Sequence, residues 1–157
     1  MQFNLAQINI AKMLGPIDSP VMAEFVNNLD PINELAERSR GFIWRLKDDS
    51  NNATSIKVYD DDFIIVNMSV WESVEALHDF VYKSNHVEIF KRRKEWFEKM
   101  PVMHMALWYV TADHRPAVAD AIERLDHLRN HGETPYAFSF KKMFTAQEAT
   151  AYPAGQI

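Results

Sequence analysis

The chain has 157 residues, a formal net charge of −5 and no cysteine. This length fits one domain with a single hydrophobic core, and the lack of cysteine excludes a disulfide framework, a cysteine-ligated metal centre and a cysteine nucleophile. The acidic balance argues against a surface that follows nucleic-acid phosphates, and no apolar run approaches the roughly 20 residues that cross a bilayer. We therefore expect neither nucleic acid nor membrane as a partner, and, without a signal peptide, a cytoplasmic protein.

The first half of the chain predicts strands separated by one long helix. Serine followed by proline at Ser19-Pro20 is typical of a helix start. Because Asp30-Pro31 interrupts the apolar helical pattern, we expect a kink or a restart there, with Asp30 as a second cap. The predicted segments are strands at 3–11, 41–47 and 63–71, a helix between residues 19 and 41, and a long polar loop at 48–62.

The second half predicts further helices and strands. Asn85 with Glu88 three residues later has the form of a capping box, and Gly132 ends an amphipathic helix. The predicted segments are helices from Glu72, at 85–99 and at 116–130, strands at 102–111 and 136–144, and a loose tail from Thr145. The order β-α-β-β-α-β with an appended α-β is ferredoxin-like. We predict an α+β fold with one domain at 1–144 and a loose tail at 145–157.

The strand faces predict where a small molecule would bind. In a four-stranded antiparallel sheet, two helices cover one face, and the other is solvated or covered by something else. The apolar sets around Ile8 and Val66 suit the helix side. The opposite, mixed face is expected to carry Gln7, Asn9, Asn67, His104 and Trp108. Amides, an imidazole and an indole together indicate either a ligand pocket or a wet interface between two copies, and a pocket between the sheets of a dimer satisfies both.

Six segments carry a resemblance to a known family. They are Leu5-Ala6-Gln7-Ile8-Asn9-Ile10-Ala11, Gly41-Phe42-Ile43-Trp44-Arg45-Leu46, Asn67-Met68-Ser69-Val70-Trp71-Glu72-Ser73, Arg92-Arg93-Lys94-Glu95-Trp96-Phe97, Leu107-Trp108-Tyr109-Val110, and Gly132 through Ala137-Phe138-Ser139-Phe140. With these segments the chain resembles the DUF3291 family, over nearly its whole length. It departs from the common pattern at Tyr109 and Asp113, where the family has a second tryptophan and a glycine.

The resemblance implies a superfamily rather than an activity. DUF3291 proteins have no assigned function, and their superfamily is that of dimeric α/β-barrel proteins related to antibiotic-biosynthesis monooxygenases. The resemblance therefore implies a homodimer in which two sheets meet to form a barrel with a cavity inside. Superfamily members include cofactor-independent oxygenases, haem enzymes and proteins with no known chemistry.

A stripe on the helix predicted from Asn85 has two interpretations. Positions His86, Phe90, Arg93 and Phe97 share one face. If this face lines the cavity, His86 could act as a base or a haem ligand, and Arg93 could clamp a carboxylate. In the structural alternative, His86 lies near a helix start and Arg93 extends its stem past aromatic rings.

Two other patterns predict solvated surfaces. Glu123, His127 and His131 are spaced by four residues, but they lie opposite the apolar stripe of their helix and lack the arrangement of a zinc site. The basic run at 91–94 is typical of a solvated face with local ion pairs. We predict neither a metal site nor a cofactor.

The sequence therefore favours a small-molecule-handling barrel protein, and leaves open whether it is an enzyme. The predicted cavity residues are Gln7, Asn9, Trp44, Asn67, His104 and Trp108, with Arg45, His86 and Arg93 further out. As an enzyme, it would oxidise an electron-rich substrate without a cofactor, with His104 or His86 taking a proton and the amides holding the anion. The alternatives are a non-catalytic binding or stress-associated dimer, and a haem-binding barrel.

Overall fold

The computed structural model describes residues 2–48, 52–54, 56–57 and 59–153. Its strands are β1 (Phe3–Met13), β2 (Phe42–Arg45), β3 (Ile64–Trp71), β4 (Phe97–Glu98) and β5 (Met105–Thr111). Its α-helices are α1 (Ala23–Arg38), α2 (Val74–Lys83), α3 (His86–Lys91), α4 (Val118–His131) and α5 (Ala146–Ala151). Short 3₁₀ turns at Pro20–Met22 and Arg93–Glu95 precede α1 and follow α3. No helix in the described ranges is both long and apolar enough to cross a membrane.

The strands form one antiparallel sheet around β1. β3 pairs with one edge of β1, while β5 and then the short β4 pair with its other edge. β2 pairs with the outer edge of β3, with an irregularity between Phe42 and Trp44. The order β2-β3-β1-β5 makes this a mixed α+β fold, consistent with the ferredoxin-like arrangement predicted from the sequence.

One face of the sheet is covered by α4. On this face Ala6, Ile8 and Met68 have no exposed surface, and Trp108 is 1% exposed. They pack with the apolar side of α4, which includes Leu125. The residues at the sheet edge, such as Trp44 and Ile64, are partly buried against the same cluster. Because all these side chains are apolar, the α4 face is an ordinary close-packed core.

The other face is covered by α1 and α2. A cluster of Leu5, Trp71 and Leu107 packs with Ala36 of α1 and Leu77 of α2. The prediction that the two main helices lie on the Ile8 side is therefore wrong. Both faces are rich in apolar residues, and the alternation of a strand separates its two faces without saying which helix covers each of them.

The appended helix also changes the argument for a second copy. A second copy was expected to cover the sheet face that the two main helices leave free, but α4 of the same chain covers the face that α1 and α2 leave free. The homodimer stays a prediction that now rests on the resemblance alone.

Several local predictions are wrong for identifiable reasons. Of the kink or restart expected at Pro31, the restart is wrong, because α1 continues through this residue; the kink stays a prediction. Asn85 is already in the helical region and makes no side-chain cap, because the Ser84 hydroxyl accepts the His86 N–H instead (3.1 Å). The helix then ends at Lys91, well before Lys99.

The C-terminal segment also differs from the prediction. Residues 136–144 form no strand; isolated bridges occur there instead, among them the one that pairs Phe138 with Leu107 of β5. The expected loose tail includes α5, which Thr145 caps through its own side chain and that of Glu148. The predicted helix end at Gly132 is confirmed, with a φ of 77°.

Candidate functional site

Strand register brings five polar residues together on the face that α1 and α2 cover. Gln7 of β1 lies opposite Ser69 of β3, and Asn9 lies opposite Asn67 two residues further along. Arg45 of β2 lies opposite Ser69 on the other side. Because residues opposite one another in adjacent strands share a face, these side chains form one polar group across three strands.

A hydrogen-bond relay joins most of this group. The Trp71 indole N–H donates to the Ser69 Oγ (2.8 Å). The Gln7 amide nitrogen donates to the same Oγ (2.8 Å) and to the Asn67 Oδ1 (2.6 Å). Trp71 is itself fixed by an edge contact with Phe42 and by stacking on Phe80. We call Trp71, Ser69, Gln7 and Asn67 the amide relay; since Gln7 engages the Asn67 oxygen, the Asn67 NH₂ points away from Gln7.

The relay ends at an opening in the structure. Gln7 and Ser69 are buried, whereas Asn9 and Asn67 are exposed although they lie in the middle of the two central strands β1 and β3. On a face covered by two helices, such residues are exposed only where the helices leave a gap. α1 leaves such a gap. Leu29 and Ile32 on its apolar side are only half-buried, and Ala36, near its C-terminal end, is the buried residue of the helix.

A small cavity adjoins Asn67 beneath α1. Its volume is about 60 Å³. The described residues that line it are Phe25, Leu29, Asn33, Arg45, Leu46, Asn52, Ala53, Thr54, Ile65, Val66 and Asn67. Arg45 is 7% exposed, and its Nε donates to the Glu37 carboxylate (3.0 Å). The cavity thus combines a buried guanidinium, several neutral polar groups and an apolar wall from α1.

A larger surface cleft of about 540 Å³ lies between the C-terminal end of α1 and the outer side of α2. Its charged lining residues, among them Glu72, Glu75 and Lys83, are exposed. Exposed charges on a helix surface are well solvated and need no ligand. We therefore place the candidate site at the relay and the small cavity, where polar groups have been withdrawn from water.

Of the nine predicted site residues, four meet at this site and five lie elsewhere. Gln7, Asn9, Asn67 and Arg45 are together, as described above. Trp108 lies opposite Ala6 and Trp44 opposite Val70, which places both on the α4 face. The prediction that Trp108 and His104 lie beside Gln7 is wrong, because the register sets Leu107 opposite Gln7. His104 precedes β5, where its carbonyl accepts the N–H of Ile10 and its side chain is exposed.

His86 lies at the junction of α2 and α3. Its Nδ1 is 3.2 Å from the Val81 carbonyl oxygen, and its ring lies 4.9 Å from the ring of Phe80. Burial lowers the pKa of His86, so its ring is neutral at pH 7. Since a carbonyl only accepts, Nδ1 carries the proton and Nε2 keeps a lone pair. Phe80 separates this imidazole from Trp71 of the relay.

The contacts of Arg93 are those of the structural alternative. Its guanidinium lies 4.2 Å from the centre of the Phe90 ring, and its Nη1 donates to the Phe90 carbonyl (3.0 Å). The side chain is exposed, and the helix that was to carry it inward has already ended.

The histidine-containing face of α4 is less solvated than the sequence predicts. His127 is 4% exposed and lies against His131, Tyr136 and Tyr152. Burial, with His131 and Arg124 nearby, lowers the pKa of His127. Glu123, the third residue of this face, accepts a hydrogen bond from the Tyr136 hydroxyl (3.1 Å). Within the described ranges, no three metal-ligating side chains lie close enough together to hold an ion.

The family of the chain is shown by its sequence. Residues 4–154 match the family model described as a domain of unknown function, DUF3291. The chain belongs to the DUF3291 family. A comparison with curated proteins found no match.

Solved structures similar to this DUF3291 chain come from several organisms. A conserved protein from Methanosarcina mazei Go1 is 15% identical, with a TM-score of 0.49 over 70% of this chain and 93% of its own. A mutant of SnoaB, a cofactor-independent oxygenase from Streptomyces nogalater, is 15% identical, with a TM-score of 0.47 over 71% and 95%. PA3566 from Pseudomonas aeruginosa is 15% identical, with a TM-score of 0.45 over 74% and 98%.

Among the residues of the candidate site that the sequence did not predict are Ser69, Trp71 and Asn33. Ser69 and Trp71 follow Asn67 at steps of two, so strand alternation already placed them on its face. A buried tryptophan also needs an acceptor for its N–H, and Ser69 was the nearest candidate. Asn33 of α1 had no comparable signal, because helical spacing alone does not say which residue lies over a cavity.

Proposed function

We propose that the domain binds a small, partly aromatic molecule between α1 and the sheet. The observation that carries this proposal is the exposure of Asn9 and Asn67 in the middle of the two central strands, on the face that two helices cover. Pockets for small molecules typically combine an apolar wall with a few fixed polar groups. Here Phe25, Leu29 and Ile65 supply the wall, and the two asparagines supply the polar groups.

The energetics support a ligand rather than a packing role. A buried amide must recover its lost hydration through hydrogen bonds, and each such bond contributes only about 0.5–1.5 kcal/mol net. Burying a leucine or isoleucine side chain contributes about 1.5–3 kcal/mol. Gln7 and Ser69 are therefore poor choices for stability alone, and their effect is to hold the Asn67 amide in one orientation.

The fixed Asn67 amide indicates what the ligand presents. Its oxygen is engaged by Gln7, so its NH₂ is available as a donor at the opening. A carbonyl, enolate or carboxylate oxygen satisfies that donor. The ligand is thus a flat apolar body that carries a hydrogen-bond acceptor.

Binding of 2-naphthamide to the purified chain tests this proposal, measured by titration calorimetry and by the side-chain amide signals in an NMR spectrum. We expect saturable binding that shifts the Asn67 signal. We also expect Asn67→Ala to weaken binding about tenfold, through loss of one buried hydrogen bond. Asn27→Ala, on the exposed side of α1, is the matched control and should bind as the wild type does. Binding that ignores Asn67→Ala, or no binding at all, would contradict the proposal.

A second candidate function is oxidation by molecular oxygen without a cofactor, which the Asn67 amide favours as a donor whose orientation Gln7 fixes. Fixed donors lower the pKa of an enolisable ring compound by stabilising its anion, and such anions react with O₂. With anthrone, the ring CH₂ becomes C=O, one oxygen atom enters the product and the other leaves with both hydrogens as water. His104, the predicted base, lies away from the relay, so the proton leaves through water at the opening.

Oxygen uptake with anthrone distinguishes a catalyst from a binding protein. A catalyst consumes O₂ at a rate proportional to protein concentration, and Asn67→Ala lowers that rate about 10²-fold, as removal of an oxyanion donor does elsewhere. Uptake no faster than in buffer, alongside normal 2-naphthamide binding, would remove the oxidation candidate and leave the binding function.

A further inference from the structure

We infer that the ligand of the proposed pocket is a neutral cyclic amide fused to a flat ring, and that Asn9 and Asn67 bind its amide edge together. This inference rests on the proposed function and adds the chemical class of the ligand and its second polar contact. The ligand carbonyl accepts from the Asn67 NH₂, and the adjacent ring N–H donates to the Asn9 Oδ1.

The position of Asn9 is the first part of the evidence. Asn9 lies directly opposite Asn67 on the neighbouring strand, so the Cβ atoms of the two residues are about 4.5–5.5 Å apart on one face of the sheet. At this spacing, two side-chain amides reach adjacent atoms of one planar ring. Both residues are exposed, so a molecule in the opening meets both of them.

The unequal bonding of the two amides is the second part. The Asn67 Oδ1 accepts from Gln7 (2.6 Å), which leaves the Asn67 NH₂ as a donor. Within the described part of the chain, the Asn9 amide has no hydrogen-bond partner and is free to turn. The fixed Asn67 NH₂ favours the orientation that brings the Asn9 oxygen next to it, because two adjacent N–H donors repel each other. The pair therefore presents one donor and one acceptor side by side.

The surroundings of the pair are the third part. On the same face, Met105 of β5 lies opposite Asn9, and Ala11 lies opposite Ile65 two residues further along β1 and β3. These three side chains are apolar and only partly buried. An ionised group beside them would lose hydration without compensation, whereas a neutral cyclic amide exchanges its hydrogen bonds with water for those with the two asparagines.

A pair of ring compounds tests this inference by titration calorimetry. 2-Quinolone and coumarin have the same carbonyl and nearly the same bicyclic shape, but the ring N–H of 2-quinolone is replaced by a ring oxygen in coumarin. Neither compound is charged at neutral pH. We expect the wild-type chain to bind 2-quinolone about tenfold more tightly than coumarin, through one additional hydrogen bond.

Variants at Asn9 locate the partner of the ring N–H. We expect Asn9→Leu, which removes the acceptor with little change of size, to abolish the preference for 2-quinolone and to leave coumarin binding within about twofold. Asn9→Asp keeps acceptor oxygens at this position and should keep the preference. Asn27→Leu, the same exchange on the exposed side of α1, should also keep it. Asn67→Ala should weaken both probes by a similar factor, because both contain the carbonyl.

The outcomes separate this inference from the proposed function. Equal affinities of 2-quinolone and coumarin for the wild-type chain would overturn the cyclic amide while the pocket stands. A preference that survives in Asn9→Leu, with the fold checked by circular dichroism, or binding of 2-naphthamide without binding of 2-quinolone, would have the same meaning. If none of the three probes binds the wild-type chain, the proposed binding function fails and the inference fails with it.

Discussion

The two faces of the sheet use their side chains in different ways. On the α4 face, Ala6, Ile8 and Met68 are fully buried among other apolar groups. On the face of α1 and α2, the same strands present Gln7 and Ser69, which are buried, next to Asn9 and Asn67, which are exposed. On the α4 face this chain packs an apolar sheet surface completely. The polar opening on the other face is therefore not the result of loose packing throughout the fold.

This difference separates stability from function. Close packing of apolar side chains explains the α4 face without a ligand. Packing does not explain the amide relay, since aliphatic residues of similar size at Gln7 and Ser69 would avoid the cost of burying polar groups. We conclude that the α4 face mainly stabilises the fold, whereas the opposite face carries the polar groups of the proposed binding site.

The largest expected effect tests the α4 face. Trp108→Ala removes an indole that is 1% exposed in the core beneath α4. Because the site is close-packed, we expect a loss of about 3–5 kcal/mol in the free energy of unfolding, measured by urea denaturation. Since Trp108 lies on the face away from the relay, the folded fraction should still bind 2-naphthamide with wild-type affinity.

Two results would contradict this division of roles between the two sheet faces. A loss below about 1 kcal/mol would mean that the α4 face is not the close-packed core described here. A folded Trp108→Ala variant that no longer binds the probe would mean that the two faces are not functionally separate.

A smaller effect is expected within the relay. Ser69→Ala removes the acceptor of the Trp71 indole N–H and of one Gln7 N–H, both buried. Leaving buried donors unsatisfied costs about 1–3 kcal/mol, and urea denaturation measures this loss. Probe binding should also weaken, because Gln7 is then less firmly held and no longer orients Asn67.

A double variant sharpens this prediction. Trp71→Phe removes the indole donor, so Ser69→Ala should cost less in the Trp71→Phe background than in the wild type. Equal costs in the two backgrounds would contradict the proposed bond between Trp71 and Ser69.

Sequence reasoning was reliable where one local pattern determines the structure. Alternation located β1 and β3 to within two residues, and the positive-φ requirement of Gly132 marked the end of α4. It failed where two local options compete. Ser84 replaced Asn85 as the partner of the first free N–H of α3, and Pro31 was accommodated inside α1. Neither result follows from residue spacing, because tertiary contacts determine which of the competing local structures forms.

The candidate site was partly predictable for the same reason. Gln7, Asn9 and Asn67 lie on strands whose alternation is regular, so their shared face could be predicted from spacing. His104 and Trp108 were placed beside them because the other face of their strand is the more apolar one. The register instead sets Leu107 opposite Gln7, since the apolar content of a strand face does not say which side of the sheet it covers. The contribution of α1 depends on how that helix lies over the sheet, which its amphipathic pattern does not determine.

The smallest expected effect concerns the outer side of α4. His127 is buried against Tyr136 and Tyr152 of the C-terminal segment, with Arg124, His131, Glu123 and the Thr134 hydroxyl around it. Burial, then the positive charges of His131 and Arg124, lower its pKa below the ordinary 6.5. The unfolded chain therefore binds a proton on this residue at a higher pH than the folded chain does. The contribution of His127 to the free energy of unfolding is therefore complete above pH 6.5, and it is lost as the pH falls below 6.5.

Urea denaturation between pH 7.5 and 5.5 measures this contribution as a difference between variants. His86, whose pKa is also lowered by burial, adds a loss of the same sign, so the wild-type slope contains both. We expect His127→Gln to flatten the decline, whereas His131→Gln, at an exposed position, should change it less. Probe binding should stay constant across this range in the folded protein, because neither histidine belongs to the amide relay. A decline that is equally steep in His127→Gln would mean that the buried imidazole does not contribute to the pH dependence of the α4 face.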